Sequence, residues 1–115
     1  MLPLGMQKIY DLNDVTEEQL GCWIDGTNMS GKEFDIQLVE TALHFGLTLN
    51  VEDWKELKNQ LDDYPGDESI LEDLQMVAEW AYDWFNLKVR DTGYYFEIDA
   101  NCLFLTHEDL ELIND

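Results

Sequence analysis

The strongest pattern of apolar and polar positions lies in the second half of the chain and predicts a long helix that begins at Ser69. Glu72 follows Ser69 by three residues, which is the spacing of a capping box, and apolar residues then recur at helical intervals. Because this apolar stripe is broad, we predict the central helix of the domain. Its members are Ile70, Leu71, Leu74, Val77, Ala78, Ala81, Trp84 and Phe85.

Two shorter helices are predicted before it. The first begins at Ser30, which forms a capping box with Glu33, and ends before Gly46. The second is capped by Asn50 and runs into an acidic loop, 62–69, that contains a Pro-Gly turn. Their apolar faces are Phe34, Leu38, Ala42 and Phe45 in the first helix, and Val51, Trp54, Leu57 and Leu61 in the second.

The remaining segments favour short strands. We predict strands at 8–12 and 21–24, and a C-terminal β-hairpin in which 99–101 joins "YYFEI" to "CLFLT". Thr106 is expected to cap a last helical turn, 107–113. Together these elements predict an α+β fold, in which a small antiparallel sheet packs against about three helices in a single domain spanning residues 1–115.

The stretch before the second strand has its own local signals. Thr16 and Gln19 have capping-box spacing, so 16–20 is expected to form one helical turn that stops at Gly21. Alternation along the strand then places Cys22 and Ile24 on one face and Trp23 on the other.

Charge changes this picture more than any motif does. The chain has 26 acidic and 6 basic residues, a formal net charge of −20, although 45% of its residues are hydrophobic, as in ordinary globular proteins. Eight carboxylates and no Lys or Arg lie between Lys58 and Lys88, and seven more carboxylates follow Arg90. Such a surface repels nucleic acid and anionic membranes and attracts proteins with basic grooves. Solubility or adaptation to salt is the alternative reason for the charge.

The two cysteines, Cys22 and Cys102, are too few for a disulfide framework and are expected to be reduced, buried thiols. A disulfide between them stays open as an alternative. The opening "MLPLGM" has neither the basic nor the apolar part of a signal peptide, and no run is long enough to span a membrane. We therefore expect a cytoplasmic protein.

A calcium site is the first chemistry to consider, because "DGTNMSGKEFD" precedes a helix as an EF-hand loop would. Counting from Asp25, position 5 is Met29, position 6 is Ser30 where glycine is needed, and position 12 is Ile36 where a bidentate glutamate is needed. The ligand pattern therefore excludes a functional EF-hand.

Catalytic signals are weak. His44 and His107 have no nucleophile or zinc-ligand spacing, and the chain has no glycine-rich phosphate loop. Glu97 and Asp99 share one face of a strand, but close carboxylate pairs are expected by chance in so acidic a chain. We expect no enzyme activity, no metal and no cofactor.

Aromatic residues would suggest base stacking in a basic protein, but the charge of this chain opposes that interpretation. They occur mostly at core spacing and are expected in the core or in a protein interface. The set is Trp54, Trp80, Trp84, Tyr94, Tyr95 and Phe96.

The acidic surface is the best functional candidate. Glu79 and Asp83 are four residues apart on one helix face, opposite the apolar stripe, and Glu72 extends the row. Any single carboxylate is explained most simply as part of a solvated helix face. The whole set, which has no Lys or Arg among it in the sequence, favours a function. The predicted partner-binding residues are Asp62, Asp63, Asp67, Glu68, Glu72, Glu79 and Asp83.

Two segments give a family resemblance. "KIYDL" with "LGCWID", and the stretch 62–80, "DDYPGDESILEDLQMVAEW", resemble the ArdA-type antirestriction proteins, acidic DNA mimics carried by phages and mobile elements. Lys8, Ile9 and Tyr10 match that family's first strand, and Gly21 with 23–25 its second. The resemblance covers about residues 7–85. The chain is shorter than the usual family member, and the ending "YYFEIDANCLFLTH" has no counterpart.

The resemblance implies inhibition of restriction–modification enzymes by occupation of their DNA groove. We therefore expect a non-enzymatic acidic inhibitor in a bacterial host, whose partner is a basic DNA-binding protein or nuclease complex, either a restriction–modification enzyme or a CRISPR effector. Direct binding to nucleic acid or membrane is not expected, and a homodimer stays open. The alternatives are a small acidic adaptor or structural phage protein that binds through an apolar patch, and a small metal-dependent enzyme.

Overall fold

The computed structural model describes residues 12–108, which form three helices and a three-stranded antiparallel sheet. The predicted α+β class with a C-terminal hairpin is confirmed. The predicted strand 8–12 lies outside the described residues except for Leu12, which begins a 3-10 turn instead. The elements are 3-10 turns Leu12–Asp14 and Glu17–Gln19, strands β1 Gly21–Asp25, β2 Tyr94–Asp99 and β3 Cys102–His107, and helices α1 Gly31–His44, α2 Val51–Asp63 and α3 Glu68–Val89.

Local signals set both ends of α1. The Ser30 side chain accepts a hydrogen bond from the Glu33 backbone N–H at 3.2 Å, as an N-cap does. At the other end Gly46 has a φ of +111°, and Leu47 N–H donates to Ala42 O. This is the Schellman arrangement, which satisfies carbonyls that the helix leaves unpaired. The predicted start and stop of this helix are confirmed.

The boundary between α2 and α3 differs from the prediction. Asp62 and Asp63 are the last two residues of α2, so the acidic connection is shorter than the predicted loop 62–69. The N-cap of α3 is Asp67, whose carboxylate accepts hydrogen bonds from the backbone N–H groups of Ser69 and Ile70. The predicted Ser69 cap is wrong because Asp67, two residues earlier, is an equally strong capping residue.

The sheet has the order β1–β3–β2. Ala100 and Asn101 at the hairpin turn both have positive φ, as a two-residue hairpin loop requires. The Asn101 side chain donates to the carbonyls of Gly26 and Met29, which ties this turn to the loop after β1. His107 is the last residue of β3 and Glu108 is the first helical residue, so the last helical turn begins one residue later than predicted; 109–113 lies outside the described residues.

A β-bulge corrects the predicted faces of β1. The pairing with β3 shifts between Cys22 and Ile24, so that Trp23 is an extra residue in the ladder. Trp23 and Ile24 are therefore both buried, whereas Cys22 and Asp25 are exposed. Strict alternation failed here because the inserted residue changes the side to which the chain presents its side chains.

Trp23 connects the N-terminal turn, α1 and the sheet. Its indole N–H donates to Gln19 O at 2.7 Å, and this carbonyl belongs to the turn that the predicted Thr16–Gln19 capping box closes. Its ring contacts Phe45 at the end of α1 and meets Phe96 edge-on, with centroids 4.9 Å apart. Phe96 in turn packs against Phe85 of α3, so α3 covers one face of the sheet.

Candidate functional site

The acidic row, which we define as Glu72, Glu79 and Asp83, lies on the outer face of α3. All three residues are exposed, and they are spaced seven and four residues apart. The residues that α3 buries, among them Phe85 and Ala81, lie on the opposite side of the helix. Helical periodicity therefore positions these carboxylates together, as the sequence predicts.

The acidic corner, which we define as Asp62, Asp63, Asp67 and Glu68, surrounds the turn between α2 and α3. All four residues are exposed, and the turn is closed by a hydrogen bond from Asp67 N–H to Tyr64 O. Asp67 differs from the others because its carboxylate already caps α3. The corner is thus a continuation of the acidic row at the N-terminal end of α3, in which one member also has a structural role.

Neither group takes part in an ion pair among the described residues. Within residues 12–108, the two ion pairs are Lys58 with Glu40 at 3.2 Å and Arg90 with Asp91 at 3.8 Å. Lys58 also lies over the ring of Trp54, and Lys88 lies over the ring of Trp84. Each of these contacts involves residues outside the acidic row and the acidic corner.

Sequence reasoning missed Asp35 of α1, which extends the acidic surface across the helix pair. Asp35 lines a cleft of about 210 Å³ with Glu79 and Gln75 of α3. Partial burial, and then the charge of Glu79, raise the pKa of the Asp35 carboxyl above its ordinary value. No local pattern identifies this pair, because only the packing of α1 on α3 brings the two carboxylates together.

An apolar ridge, which we define as Met76, Trp80 and Leu87, runs beside the acidic row. The side chains are 69%, 47% and 57% exposed. Of the two places expected for the aromatic residues, exposed Trp80 does not lie in the core, whereas Phe96 and Trp54 are buried and Trp84 is half-buried. The missed signal is that Trp80 follows Met76 by four residues, and Met76 already belongs to the outer face.

Side chains from α3 protect the outer edge of β2. Asn86 both accepts from Phe96 N–H at 2.7 Å and donates to Phe96 O at 3.3 Å, and Tyr82 donates to the same carbonyl. Tyr94 N–H donates to the Thr92 hydroxyl. Because these backbone groups are already paired, the edge is poorly suited to binding a partner strand at this point.

The two histidines belong to different elements of the fold. His44 ends α1 and contacts Phe45, whereas His107 packs edge-on against Tyr94 in the sheet. Glu97 and Asp99 are exposed on β2. Across residues 12–108, no group of three or more His, Cys, Asp or Glu side chains is arranged to hold a metal ion.

The cysteines are free, and they are neighbours across β1 and β3. Cys102 is buried as predicted, but Cys22 is exposed, because the bulge directs Trp23 and Ile24 inward in its place. The Cys102 thiol donates to Asp25 and lies 3.8 Å from the Thr27 hydroxyl. Partial desolvation, then the neighbouring Cys102 and Asp25, raise the pKa of the Cys22 thiol. This change makes Cys22 less reactive, since the thiolate is the nucleophile.

No helix among the described residues is both long and apolar enough to cross a membrane. Comparison with protein-family models, curated proteins and solved structures found no match to this chain. The resemblance to ArdA-type proteins therefore stays a prediction that depends on its own short motifs.

Proposed function

We propose that this protein is a non-enzymatic acidic inhibitor that mimics nucleic acid and occupies the DNA-binding groove of a host defence enzyme. The partner would be a restriction–modification enzyme or a CRISPR effector in the cytoplasm of a bacterial cell. The observation that carries the proposal is the set of seven exposed carboxylates in the acidic row and acidic corner, which form no ion pair with the described basic residues.

Charge density supports a surface larger than one helix. From Glu72 to Asp83 the axis of α3 rises about 16 Å, a length over which duplex DNA carries roughly ten phosphate charges. The three carboxylates of the acidic row are too sparse to match this density alone. The acidic corner, at the N-terminal end of α3, and Asp35, which shares a cleft with Glu79, add negative charge from α1, α2 and the start of α3.

The apolar ridge favours a second candidate, an acidic adaptor or structural phage protein that binds a protein partner through an apolar patch. Met76 and Trp80 are one helical turn apart and both exposed, and contiguous exposed apolar patches mark interaction sites. The two candidates differ in salt dependence. Binding by a mimic weakens steeply as salt screens the charges, whereas apolar binding persists.

The test is a binding measurement on a purified restriction–modification complex and on a guide-loaded CRISPR nuclease, with and without competing DNA, over a range of salt concentrations. We expect competing DNA to displace the protein and Glu79→Lys with Asp83→Lys to abolish binding. The matched control is Glu97→Lys with Asp99→Lys, which changes the net charge equally at exposed positions of β2.

Binding that excess DNA leaves unchanged would contradict the proposal. An equal loss of affinity in both double variants would show that net charge, rather than the acidic row, determines binding. Binding that persists in high salt and survives both double variants would favour the adaptor.

A further inference from the structure

The apolar ridge has no role in the folded core. Met76, Trp80 and Leu87 project within about 40° of one another around α3, whereas Phe85, nine residues after Met76, projects about 180° away into the core. The ridge is therefore the part of α3 that points most directly away from the rest of the molecule. A partner that approaches this helix meets the ridge first.

Carboxylates border the ridge on both sides. Asp83 and Glu72 project within about 40° of Met76 on one side, and Asp73, seven residues before Trp80, lies on the other. A second copy of this chain would bring like charges together over the same face, and each copy has a net charge of −20. A partner that is cationic around an apolar centre therefore complements this face best.

This combination distinguishes two kinds of nucleic-acid groove. A groove that binds a duplex meets a dense array of phosphates, while the base faces are stacked inside the duplex. A groove that binds a single strand combines Lys and Arg residues along the backbone with aromatic platforms on which bases stack. Carboxylates alone would suit a groove that binds a duplex, whereas carboxylates beside an exposed indole suit a groove that binds a single strand.

We infer that the outer face of α3 docks into a protein groove that binds single-stranded nucleic acid, an inference that depends on the proposed function. The acidic row takes the places of phosphates along the groove. Trp80 takes the place of a base on an aromatic platform, and Met76 adds a thioether that packs well against aromatic rings. The inference specifies the class of groove, which the proposed function leaves open.

The experiment uses three purified probes: an OB-fold single-strand-binding protein, a guide-loaded CRISPR nuclease and a restriction–modification complex. Each is bound by this protein and competed with a single-stranded oligonucleotide or with its duplex. We expect the single strand to displace the protein more effectively from at least one probe. We also expect Trp80→Ala to weaken that binding roughly fivefold to a hundredfold, as loss of one stacked base does.

Salt dependence separates the two contributions. Trp80→Ala should lower affinity by a similar factor at every salt concentration, whereas Glu79→Lys with Asp83→Lys should reduce the steepness of the salt dependence. Trp80→Phe should restore most of the affinity, because it keeps an aromatic face. Val51→Ala, at an exposed apolar position of α2, is the matched control and should change little.

The outcomes distinguish the two proposals. Binding that depends on Glu79 and Asp83 but not on Trp80, or that only a duplex displaces, would overturn the inference and leave the proposed function standing. Failure to bind any of the three probes, or binding indifferent to the acidic row, would overturn both.

Discussion

The two faces of α3 differ as sharply as any two regions of the molecule. On the inner face, Phe85, Ala81 and Val89 are completely buried against α1 and the sheet. On the outer face, three apolar side chains and three carboxylates of the same helix are exposed. The inner face has an apolar composition that burial explains, whereas the outer face has apolar residues that burial does not explain.

The difference shows which residues the fold requires. Burial of the inner face stabilises the domain in proportion to the apolar area removed from water. The carboxylates of the outer face repel one another and oppose folding, and Trp80, which is 47% exposed, contributes less to folding than the fully buried Phe85. The proposed binding function would account for the outer face, and three pairs of substitutions test this division.

The largest expected effect is on the inner face. Phe85→Ala should lower the free energy of unfolding by about 3–5 kcal/mol, because it leaves a cavity where Phe85 packs against Phe96. Trp80→Ala should lower it by a smaller amount, about 1–2 kcal/mol, since only about half of this side chain is removed from water. Urea unfolding followed by circular dichroism measures both. Similar losses from the two variants would contradict the division of α3 into two faces.

A smaller effect is expected where the acidic corner meets the start of α3. Asp67→Ala should lower the free energy of unfolding by about 1 kcal/mol, because it removes the N-cap of α3. Asp63→Ala is the control: Asp63 lies at the C-terminal end of α2, where a negative charge opposes the helix dipole. The same unfolding experiment should show no loss for Asp63→Ala, and a loss equal to that of Asp67→Ala would refute the assigned roles.

The smallest expected effect on stability is that of Asp35 in α1, which lines a cleft with Glu79 of α3. Its pKa in the folded state is raised, so the folded protein holds this proton at pH values where the unfolded chain has released it. The free energy of unfolding therefore falls as the pH rises from the ordinary pKa of 3.8 through the raised pKa of Asp35. Above the raised pKa this loss of stability is complete.

Asp35→Asn should therefore stabilise the protein at neutral pH, with a gain that shrinks as the pH falls towards 4. Thermal unfolding of the two proteins across this pH range measures the difference. Glu79→Gln should give a smaller gain, because desolvation is the larger cause of the raised pKa. A gain that does not vary with pH would show that the Asp35 charge is not its source.

Local sequence signals were sufficient for much of the fold. Ser30 and Gly46 bounded α1, Asn50 capped α2, and the positive φ values at Ala100 and Asn101 realised the predicted hairpin turn. These elements depend on hydrogen bonds and steric preferences within a few residues, which a sequence window contains. Local signals were also sufficient for the acidic row, because helical spacing alone placed its three carboxylates opposite the core.

The Ser69 cap failed for a local reason, because Asp67 is a competing cap two residues earlier, whereas two other features depend on distant segments. The bulge at Trp23 exists only because β3 pairs with β1, and it changed the face of both Trp23 and Cys22. The proximity of Asp35 and Glu79 needs α1 to pack on α3.

The sequence by itself thus determined the charge of this protein, its element types and the outward direction of the acidic row. These follow from composition and from periods of a few residues. Only the tertiary structure decided which carboxylates of different helices are neighbours and that the apolar ridge stays uncovered, because burial depends on what the rest of the chain places against each face.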